Sequence, residues 1–306
     1  MNWSLFFDLT VSGLTLGSVY ALIALGYSMV YGILKLLNFA HGDVYMIGAF
    51  IGWYALHGLG GPVSPALGAW VVTAFMFLAA MLGCGVLGVV IERFAYRPLR
   101  NAPRIAPLIS ALGVSFFLQN SALLLFGAMF RDYDSFDLIG SRTRHIGNLY
   151  FGTPQILTVS GAIVLMVVLT LVVARTQVGK AMRATSFDLE AASMMGIDVD
   201  RVIVVTFLIG SMLAGAAGVM NGLIFQNVDP RVGFQIGLIA FAAAVVGGIG
   251  SLPGAMLGGL AIGLGRAFSI GYISSAYQDV IVFAILIAFL LIRPSGIFGV
   301  PESKKV

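Results

Sequence analysis

Residues 145–174 read HIGNLYFGTPQILTVSGAIVLMVVLTLVVA and contain no Asp, Glu, Lys or Arg. A helix needs only about 20 consecutive apolar residues to cross the hydrocarbon core of a bilayer. Five further charge-free stretches are each long enough for a crossing, and the second of them is long enough for two: 9–34, 44–91, 105–130, 202–228 and 232–265. The pattern predicts an all-α, polytopic membrane protein.

The overall composition excludes a soluble globular protein. Charged residues form 10% of the chain and apolar residues 59%, whereas an average soluble domain carries about 25% charged residues. The net charge of +4 is too small, and too concentrated in loops, to indicate nucleic-acid binding. It fits the excess of Lys and Arg that holds loops in the cytoplasm, so we expect contact with membrane lipid and not with nucleic acid.

Turn residues divide the apolar runs into nine predicted helices. Segment 44–57 is short, and a broken or re-entrant helix is the alternative there, which would leave eight crossings. Gly247–Pro253 interrupts a Gly- and Ala-rich segment and splits it into two helices, either of which could be partial. The predicted helices span 9–34, 44–57, 66–91, 107–127, 155–174, 202–225, two within 235–271, and 277–292.

The distribution of Lys and Arg predicts the orientation. If the loops 92–106 and 175–201 and the C-terminal tail are cytoplasmic, that side together with Lys35 holds 12 of the 17 basic residues. Nine crossings then place the N-terminus outside and the C-terminus in the cytoplasm, whereas eight would move the N-terminus inside. Segment 128–154 becomes an extracytoplasmic loop, either solvated or in contact with a soluble protein.

The two halves of the chain resemble each other weakly. Residues 17–52 and residues 214–250 both run from a small-residue helix through a polar break to a Gly- and Ala-rich helix. Many transporters are built from such repeats, with broken helices at the interface between them. The pattern therefore favours a transporter.

Two groups of polar residues interrupt the apolar segments. Asn38, His41, Gly42 and Asp43 lie in the sequence NFAHGD, where they either cap the second helix or take part in passage or gating. Gln119-Asn120 lies near the middle of the fourth helix and either forms interhelical hydrogen bonds or lines a pathway. Adjacent helical positions point about 100° apart, so both amides cannot fully face one lumen. No second His follows at a metal-ligand spacing, so we predict no metal site.

The loop 175–201 predicts a short helix over 187–195. Thr185 or Ser186 is the expected N-cap, and Gly196 is the expected C-terminal stop. The small apolar side of this helix either rests on the bilayer or on neighbouring helices, or docks a cytoplasmic partner. That side consists of Leu189, Ala192 and Met195.

The sequence of this loop resembles a known family. Glu190-Ala191-Ala192 followed by Gly196 is similar to the EAA loop of ABC importer permeases, and 179–198 (GKAMRATSFDLEAASMMGID) resembles the branched-chain amino acid permeases. The Leu-Pro that closes the pattern in many other ABC permeases is absent, as is typical of that group. Further matching stretches are YALIALGYSMVYGILKLLNFAHGDVYMIGAF at 20–50, ERFAYRPLR at 92–100, FAAAVVGGIGSLPGAMLGG at 241–259 and RPSGIFG at 293–299.

The resemblance implies one transmembrane permease domain over 1–306, in a bacterial inner or plasma membrane. The chain would serve an ATP-driven importer of branched-chain or related hydrophobic amino acids, giving alternating access. The implied partners are a second permease subunit, two ATP-binding subunits and an extracytoplasmic substrate-binding protein. The chain itself would hold no cofactor, since ATP and Mg would be bound by the partner subunits. The residues implied to couple to the ATPase are Ala184, Asp188, Leu189, Glu190, Ala191, Ala192, Met195 and Gly196.

Other functions remain open from the residues alone. No G-x-x-x-x-G-K-[ST] motif occurs, so we expect no ATPase site on this chain, and no catalytic constellation indicates an enzyme. An ion-coupled secondary amino acid transporter, with Asp43 and His41 at its ion site, is one alternative. The other alternative is a permease for urea or short amides, since related permeases carry these compounds.

Overall fold

The computed structural model describes residues 3–59, 68–100, 102–103, 105–133, 144–146 and 149–299. In this part the α-helices are α1 (Trp3–Leu34), α2 (His41–Leu59), α3 (Gly68–Ile91), α4 (Ile105–Phe126), α5 (Thr153–Arg175), α6 (Gln177–Phe187), α7 (Leu189–Met194), α8 (Val199–Phe225), α9 (Val232–Gly247), α10 (Leu252–Tyr272) and α11 (Gln278–Ile292). Short strands are β1 (Arg131–Asp132), β2 (Arg144–Ile146), β3 (Leu149–Phe151) and β4 (Asn227–Val228). A π-helical turn spans Glu92–Tyr96, and 3₁₀ turns span Arg97–Leu99 and Ser275–Tyr277.

The predicted all-α membrane architecture is confirmed. In the described residues, seven helical segments are long and apolar enough to cross a membrane by length and composition: those built on α1, α3, α4, α5, α8, α10 and α11. The other two membrane-type helices, α2 with 19 residues and α9 with 16, are shorter than α1 and α8, the long helices that precede them. The predicted number of helices therefore agrees with the structure, and the two short ones are both members of the predicted repeat.

Three predicted boundaries are wrong. The first helix begins at Trp3 and not at residue 9, because a single Asp in the first turns does not interrupt a helix. The segment 44–57 is one continuous helix from His41 to Leu59, so the break precedes the helix and does not divide it. Residues 92–99 do not form a loop, because the π-helical and 3₁₀ turns continue α3.

The loop predicted over 128–154 contains strands in its described part. β1 pairs with β4 in an antiparallel ladder, and β2 pairs with β3. Residues 134–143 and 147–148 lie outside the described residues. Tyr133 follows β1 and is fully buried, with its hydroxyl donating to the carbonyl of Ala49 at 3.1 Å. Burial raises the pKa of the Tyr133 phenol, which therefore stays protonated and able to donate.

The centre of the bundle is built from α1 and α8. Most of each apolar segment is buried, 67% for α1 and 72% for α8. Small residues let α1 and α10 approach at backbone distance: a Cβ built on Gly259 would lie 2.4 Å from the Cα of Ala21. A Cβ on Gly263 would lie 2.3 Å from the Cα of Gly17. Close backbone packing of this kind replaces the hydrophobic driving force that lipid does not supply between helices.

The helix ends gather on two opposite faces. We call the face formed by α6, α7 and the start of α8 the α7 face. An ion pair between Arg97 and Asp200 (2.6 Å) holds the end of α3 there. We call the face with the β1–β4 ladder the strand face, where the indole of Trp53 on α2 donates to the carbonyl of Asp132 at 2.7 Å. Ile297, after α11, donates its backbone N–H to Val246 at the end of α9. Lys35 after α1 and Phe298 after α11 line one cavity with Arg183 of α6, so the ends of α1 and α11 lie on the α7 face and the start of α1 lies on the opposite one.

We expect Gly259→Ala to destabilise the protein, because its new methyl group would collide with the backbone of Ala21. Overpacking of this kind costs about 1–3 kcal/mol. The matched control is Gly113→Ala on α4, where no atom lies within 4 Å of the added Cβ. Thermal unfolding in detergent should show a lower midpoint for Gly259→Ala only. Equal midpoints for the two variants would contradict the close packing of α1 against α10.

Candidate functional site

The segment between α1 and α2, residues 35–40, starts at the exposed Lys35 and returns into the protein at the buried Asn38. Lys35 has a φ of +52° and ends α1 with a left-handed residue. Asn38 is 2% exposed, and its carbonyl accepts the backbone N–H of His41 at 3.0 Å. The hydroxyl of Tyr96 lies 3.1 Å from Oδ1 of Asn38 and 3.2 Å from the carbonyl of Leu37. These contacts satisfy backbone and side-chain groups that would otherwise be unpaired in an apolar environment.

The start of α2 lies deep between α1 and α8. His41 is 1% exposed, and its ring packs edge-on against Tyr27, with 4.9 Å between the centroids. A Cβ built on Gly26 would lie 2.2 Å from Nε2 of His41. Gly26 itself lies against Gly210, in the middle of α8. The imidazole therefore fills a space that only a glycine at position 26 leaves open.

Asp43 is a fully buried carboxylate in the first turn of α2. Its Oδ2 accepts a hydrogen bond from the hydroxyl of Ser115 on α4, at 2.5 Å. That hydroxyl in turn accepts from the side-chain amide of Gln119, at 3.1 Å. A charge in this position is favoured by the N-terminus of α2, which carries partial positive charge. The three side chains link α2 to α4 through a polar chain in an otherwise apolar region.

Gly42 brings the start of α2 against the start of α9. A Cβ on Gly42 would lie 2.3 Å from the carbonyl oxygen of Gly233 and 2.7 Å from the Cα of Gly237. Two short helices therefore meet near their N-termini. From this contact α2 runs to the strand face, where Trp53 binds Asp132. α9 runs to the α7 face, where Ile249 and Gly250 after its end line a cavity with Arg183 of α6.

The two short helices follow equivalent breaks. Lys35 and Gln226 are the two non-glycine residues with positive φ in the described part, at +52° and +58°. Each comes directly after the end of a long central helix, α1 or α8, and each is followed by a short helix that begins at residue 41 or 232. Because α1 and α8 run in opposite directions, the arrangement is an inverted repeat. It agrees with the resemblance predicted between residues 17–52 and 214–250.

The structure separates the two neighbouring amides on α4. Gln119 is half-buried and joins the Asp43 cluster, whereas Asn120 is exposed and donates to the carbonyl of Phe116 at 2.7 Å. Of the residues predicted to form a pathway or gate, Asn38, His41, Gly42, Asp43 and Gln119 come together around the start of α2. Asn120 points away from them.

The predicted short helix is present, but its bounds and its N-cap differ from the prediction. It spans Leu189–Met194 and not 187–195, since α6 continues to Phe187. The N-cap is Asp188, whose Oδ1 accepts from the backbone N–H groups of Glu190 (2.9 Å) and Ala191 (3.0 Å). Neither Thr185 nor Ser186 caps α7, because both belong to α6 and their hydroxyls donate to carbonyls within it. The negative charge of the Asp188 carboxylate is also favoured here, because the N-terminus of a helix carries partial positive charge.

The end of α7 agrees with the prediction. Gly196 has a φ of +82° and donates its N–H to the carbonyl of Ser193 at 3.0 Å. Ile197 donates to Ala192 at 3.1 Å and closes the turn. A left-handed glycine is the common way to end a helix because it has no Cβ to clash. The turn connects α7 to α8 through only a few residues.

Most of α7 is exposed. Ala192 is buried against the protein, but Met195 is 83% exposed. The exposed members of the predicted coupling set are Ala184, Asp188, Leu189, Glu190, Ala191, Met195 and Gly196. The sequence interpretation missed Phe187 (95% exposed) and Met194 (86% exposed), which flank α7 and complete an apolar tip. Both lie off the apolar side that helical periodicity selects, so only their position at the helix boundary could have indicated them.

Comparison with known proteins places the chain in a family. The family model described as "Branched-chain amino acid transport system / permease component" matches residues 9–290. The chain belongs to this family.

Among the residues that the structure describes, no three or more His, Cys, Asp or Glu side chains form a group that could hold a metal ion.

Named relatives cover nearly the whole chain. The high-affinity branched-chain amino acid transport system permease protein LivH of Escherichia coli strain K12 is 44% identical over 300 residues, covering 96% of each chain. The corresponding protein BraD of Pseudomonas aeruginosa is 43% identical over 306 residues, covering 97% of this chain and 96% of its own. Among solved structures, PsaBC from Streptococcus pneumoniae in complex with Fab covers 93% of this chain and 91% of its own, with 14% identity and a TM-score of 0.45. At this identity and TM-score, the likeness supports no conclusion about function.

We expect Ser115→Ala to lower stability, because it removes the hydroxyl that donates to the buried carboxylate of Asp43. Leaving a buried acceptor without its donor costs about 1–3 kcal/mol. The control is Ser160→Ala on α5, whose exposed hydroxyl bonds only carbonyls of its own helix. Unfolding midpoints in detergent check the prediction. A midpoint for Ser115→Ala that matches Ser160→Ala would show that the polar chain from α4 does not stabilise Asp43.

Proposed function

We propose that this chain is the membrane-spanning permease subunit of an ATP-driven importer for branched-chain or related hydrophobic amino acids. Membership of the branched-chain permease family and the names of relatives at 43–44% identity support the proposal. The observation that carries it is α7, a protruding helix with an acidic cap and an exposed apolar tip. A pathway protein that worked alone would gain nothing from such a surface.

ATP would be bound with Mg by partner subunits, and not by this chain. The tip formed by Phe187, Met194 and Met195, together with Glu190, would insert into a cleft on an ATP-binding subunit. Exposed apolar side chains at a helix end are costly in water but contribute binding energy once they are buried at an interface. The partner can shift the permease between two states only if it binds α7 with different affinity in each.

Substrate would pass beside the start of α2. Asn38, His41, Gly42, Asp43 and Gln119 gather there, at the point where two short helices meet. Breaks of this kind at the interface of inverted repeats are where many transporters bind their substrates. The exposed amide of Asn120 is proposed to face the second permease subunit or the pathway between the two subunits, because an amide in hydrocarbon needs a polar neighbour.

The complete assembly would contain a second, related permease chain, two ATP-binding subunits and an extracytoplasmic substrate-binding protein. The α7 face would be cytoplasmic, with the C-terminus, and the strand face and N-terminus would lie outside. The basic residues near the ends of α3 and α5 and in α6 support this orientation.

We expect Met194→Ser to weaken binding of the ATP-binding subunits by about thirty-fold, because losing an interface anchor costs about 2 kcal/mol. Reconstituted vesicles with all the proposed partner subunits should then take up leucine more slowly, with uptake still dependent on ATP. The measurements are the dissociation constant in detergent and the uptake rate with and without ATP.

The matched control is Met129→Ser, since Met129 is also 82% exposed but lies near the strand face. This variant should bind the ATP-binding subunits normally. If both variants retained those subunits equally, α7 would not be part of the docking surface. Parent-chain uptake that continues without ATP and collapses with an ionophore would replace the proposal by an ion-coupled transporter.

A second prediction tests the orientation. Ser193→Cys on α7 should resist a membrane-impermeant thiol reagent on intact cells and react after permeabilisation, whereas Arg231→Cys near the strand face should react in both conditions. Both positions are exposed, and the native Cys84 is fully buried, so the parent chain serves as the unlabelled control. Labelling of Ser193→Cys on intact cells would reverse the orientation and place α7 beyond the reach of a cytoplasmic ATPase.

A further inference from the structure

A cluster of charged residues joins the start of α8 to the end of α3 on the α7 face. Arg97 binds Asp200 at 2.6 Å, and Arg100 binds both Asp200 and Glu92. We call these four residues the clamp. Asp200 is in the first turn of α8, two residues beyond Asp198, whose carboxylate caps that helix. The clamp therefore lies one short turn away from α7.

The two halves of the clamp differ in burial. The side chain of Glu92 is fully buried and that of Arg100 is 17% exposed, whereas the side chain of Asp200 is 50% exposed. Separating a buried ion pair leaves an uncompensated charge in a poorly polarisable environment, so Arg100 moves with Glu92 and the end of α3. The link to Asp200 is more exposed, and both Arg97 and Arg100 contribute to it. Asp200 is thus the residue through which α8 holds the end of α3.

The same turn of α3 reaches the break before α2. Tyr96 is 1% exposed and lies in the π-helical turn with Glu92. Its hydroxyl contacts the carbonyl of Leu37 and Oδ1 of Asn38, and its ring packs against Phe207 of α8, with 5.1 Å between the centroids. A π-helical turn inside a helix is frequently found at functional sites. This one turn thus carries Glu92 of the clamp and also contacts the segment that precedes His41 and Asp43.

We infer that the clamp and Tyr96 are positioning residues that transmit movement of α7 to the break at residues 35–40. The inference rests on the proposed function, since α7 must be moved by an ATP-binding subunit. The order of contacts is α7, its glycine turn, the start of α8, the clamp, Tyr96 and then Asn38. Neither the clamp nor Tyr96 needs to touch ATP or the transported amino acid. Their role is to keep the start of α8 and the break of α1–α2 in one moving unit.

The test uses the full complex in proteoliposomes and measures the ratio of leucine uptake to ATP hydrolysis. Tyr96→Phe keeps the ring contact with Phe207 but removes the hydroxyl, and Asp200→Asn removes the charge that binds Arg97 and Arg100. We expect the ratio to fall about three- to ten-fold in each variant, as the loss of one hydrogen bond or ion pair permits. ATP hydrolysis itself should continue. Asp200→Glu should restore most of the ratio, because it keeps the carboxylate.

The matched control is Arg201→Gln. Arg201 is an exposed neighbour of Asp200 and forms no ion pair with the described residues. The ratio of leucine uptake to ATP hydrolysis in Arg201→Gln should equal that of the parent chain. An unchanged ratio in Tyr96→Phe and Asp200→Asn overturns the inference, even if uptake and hydrolysis fall together, because that result shows impaired assembly and not impaired transmission.

Two further results are decisive. If Asp200→Asn does not assemble, Tyr96→Phe settles the question, since Tyr96 is buried away from α7. If the parent complex shows no ATP-dependent uptake, the proposed function fails, and that failure is distinguishable because it appears before any variant is compared.

Discussion

The structure depends on satisfying the polar backbone of the segment that follows α1 and returns into the bundle. A lipid interior offers no water to the free N–H and C=O groups of residues 35–40, so protein must supply their partners. Tyr96 supplies a partner from the turn that continues α3, Asn38 accepts the backbone N–H of His41 from within the segment, and the left-handed Lys35 turns the chain between α1 and this segment. The placement of α3, whose end carries Tyr96, therefore follows from a requirement of the break.

Glycine makes the rest of the arrangement possible. Gly42 and Gly233 let two helix starts touch, Gly26 leaves room for His41, and Gly259 brings α10 against α1. A side chain at Gly42 or Gly233 would collide with the facing helix beside Asp43, one at Gly26 would collide with the ring of His41, and one at Gly259 would collide with Ala21. Close packing and polar satisfaction are thus one problem in this protein: small residues bring the helices close enough for a few polar groups to find each other.

The α7 face and the break are separate in sequence but adjacent through the end of α3. A buried Glu92 would be costly alone, and Arg100 compensates it while also reaching Asp200. The same turn holds Tyr96 against Asn38. A helix that is exposed on one face is in this way connected, by short polar contacts, to a buried segment near the middle of the bundle.

The sequence by itself determined the membrane class, the number and approximate bounds of the helices, the Gly196 stop and the family, because hydrophobic run length and local motifs need no distant partner. It did not determine that Gln119 joins Asp43 while Asn120 turns away, that Asp188 is the cap of α7, or that Arg100 bridges Glu92 and Asp200. Those outcomes depend on contacts between residues far apart in the chain or on competition between neighbouring caps. Only the tertiary structure brings such partners together and decides between them.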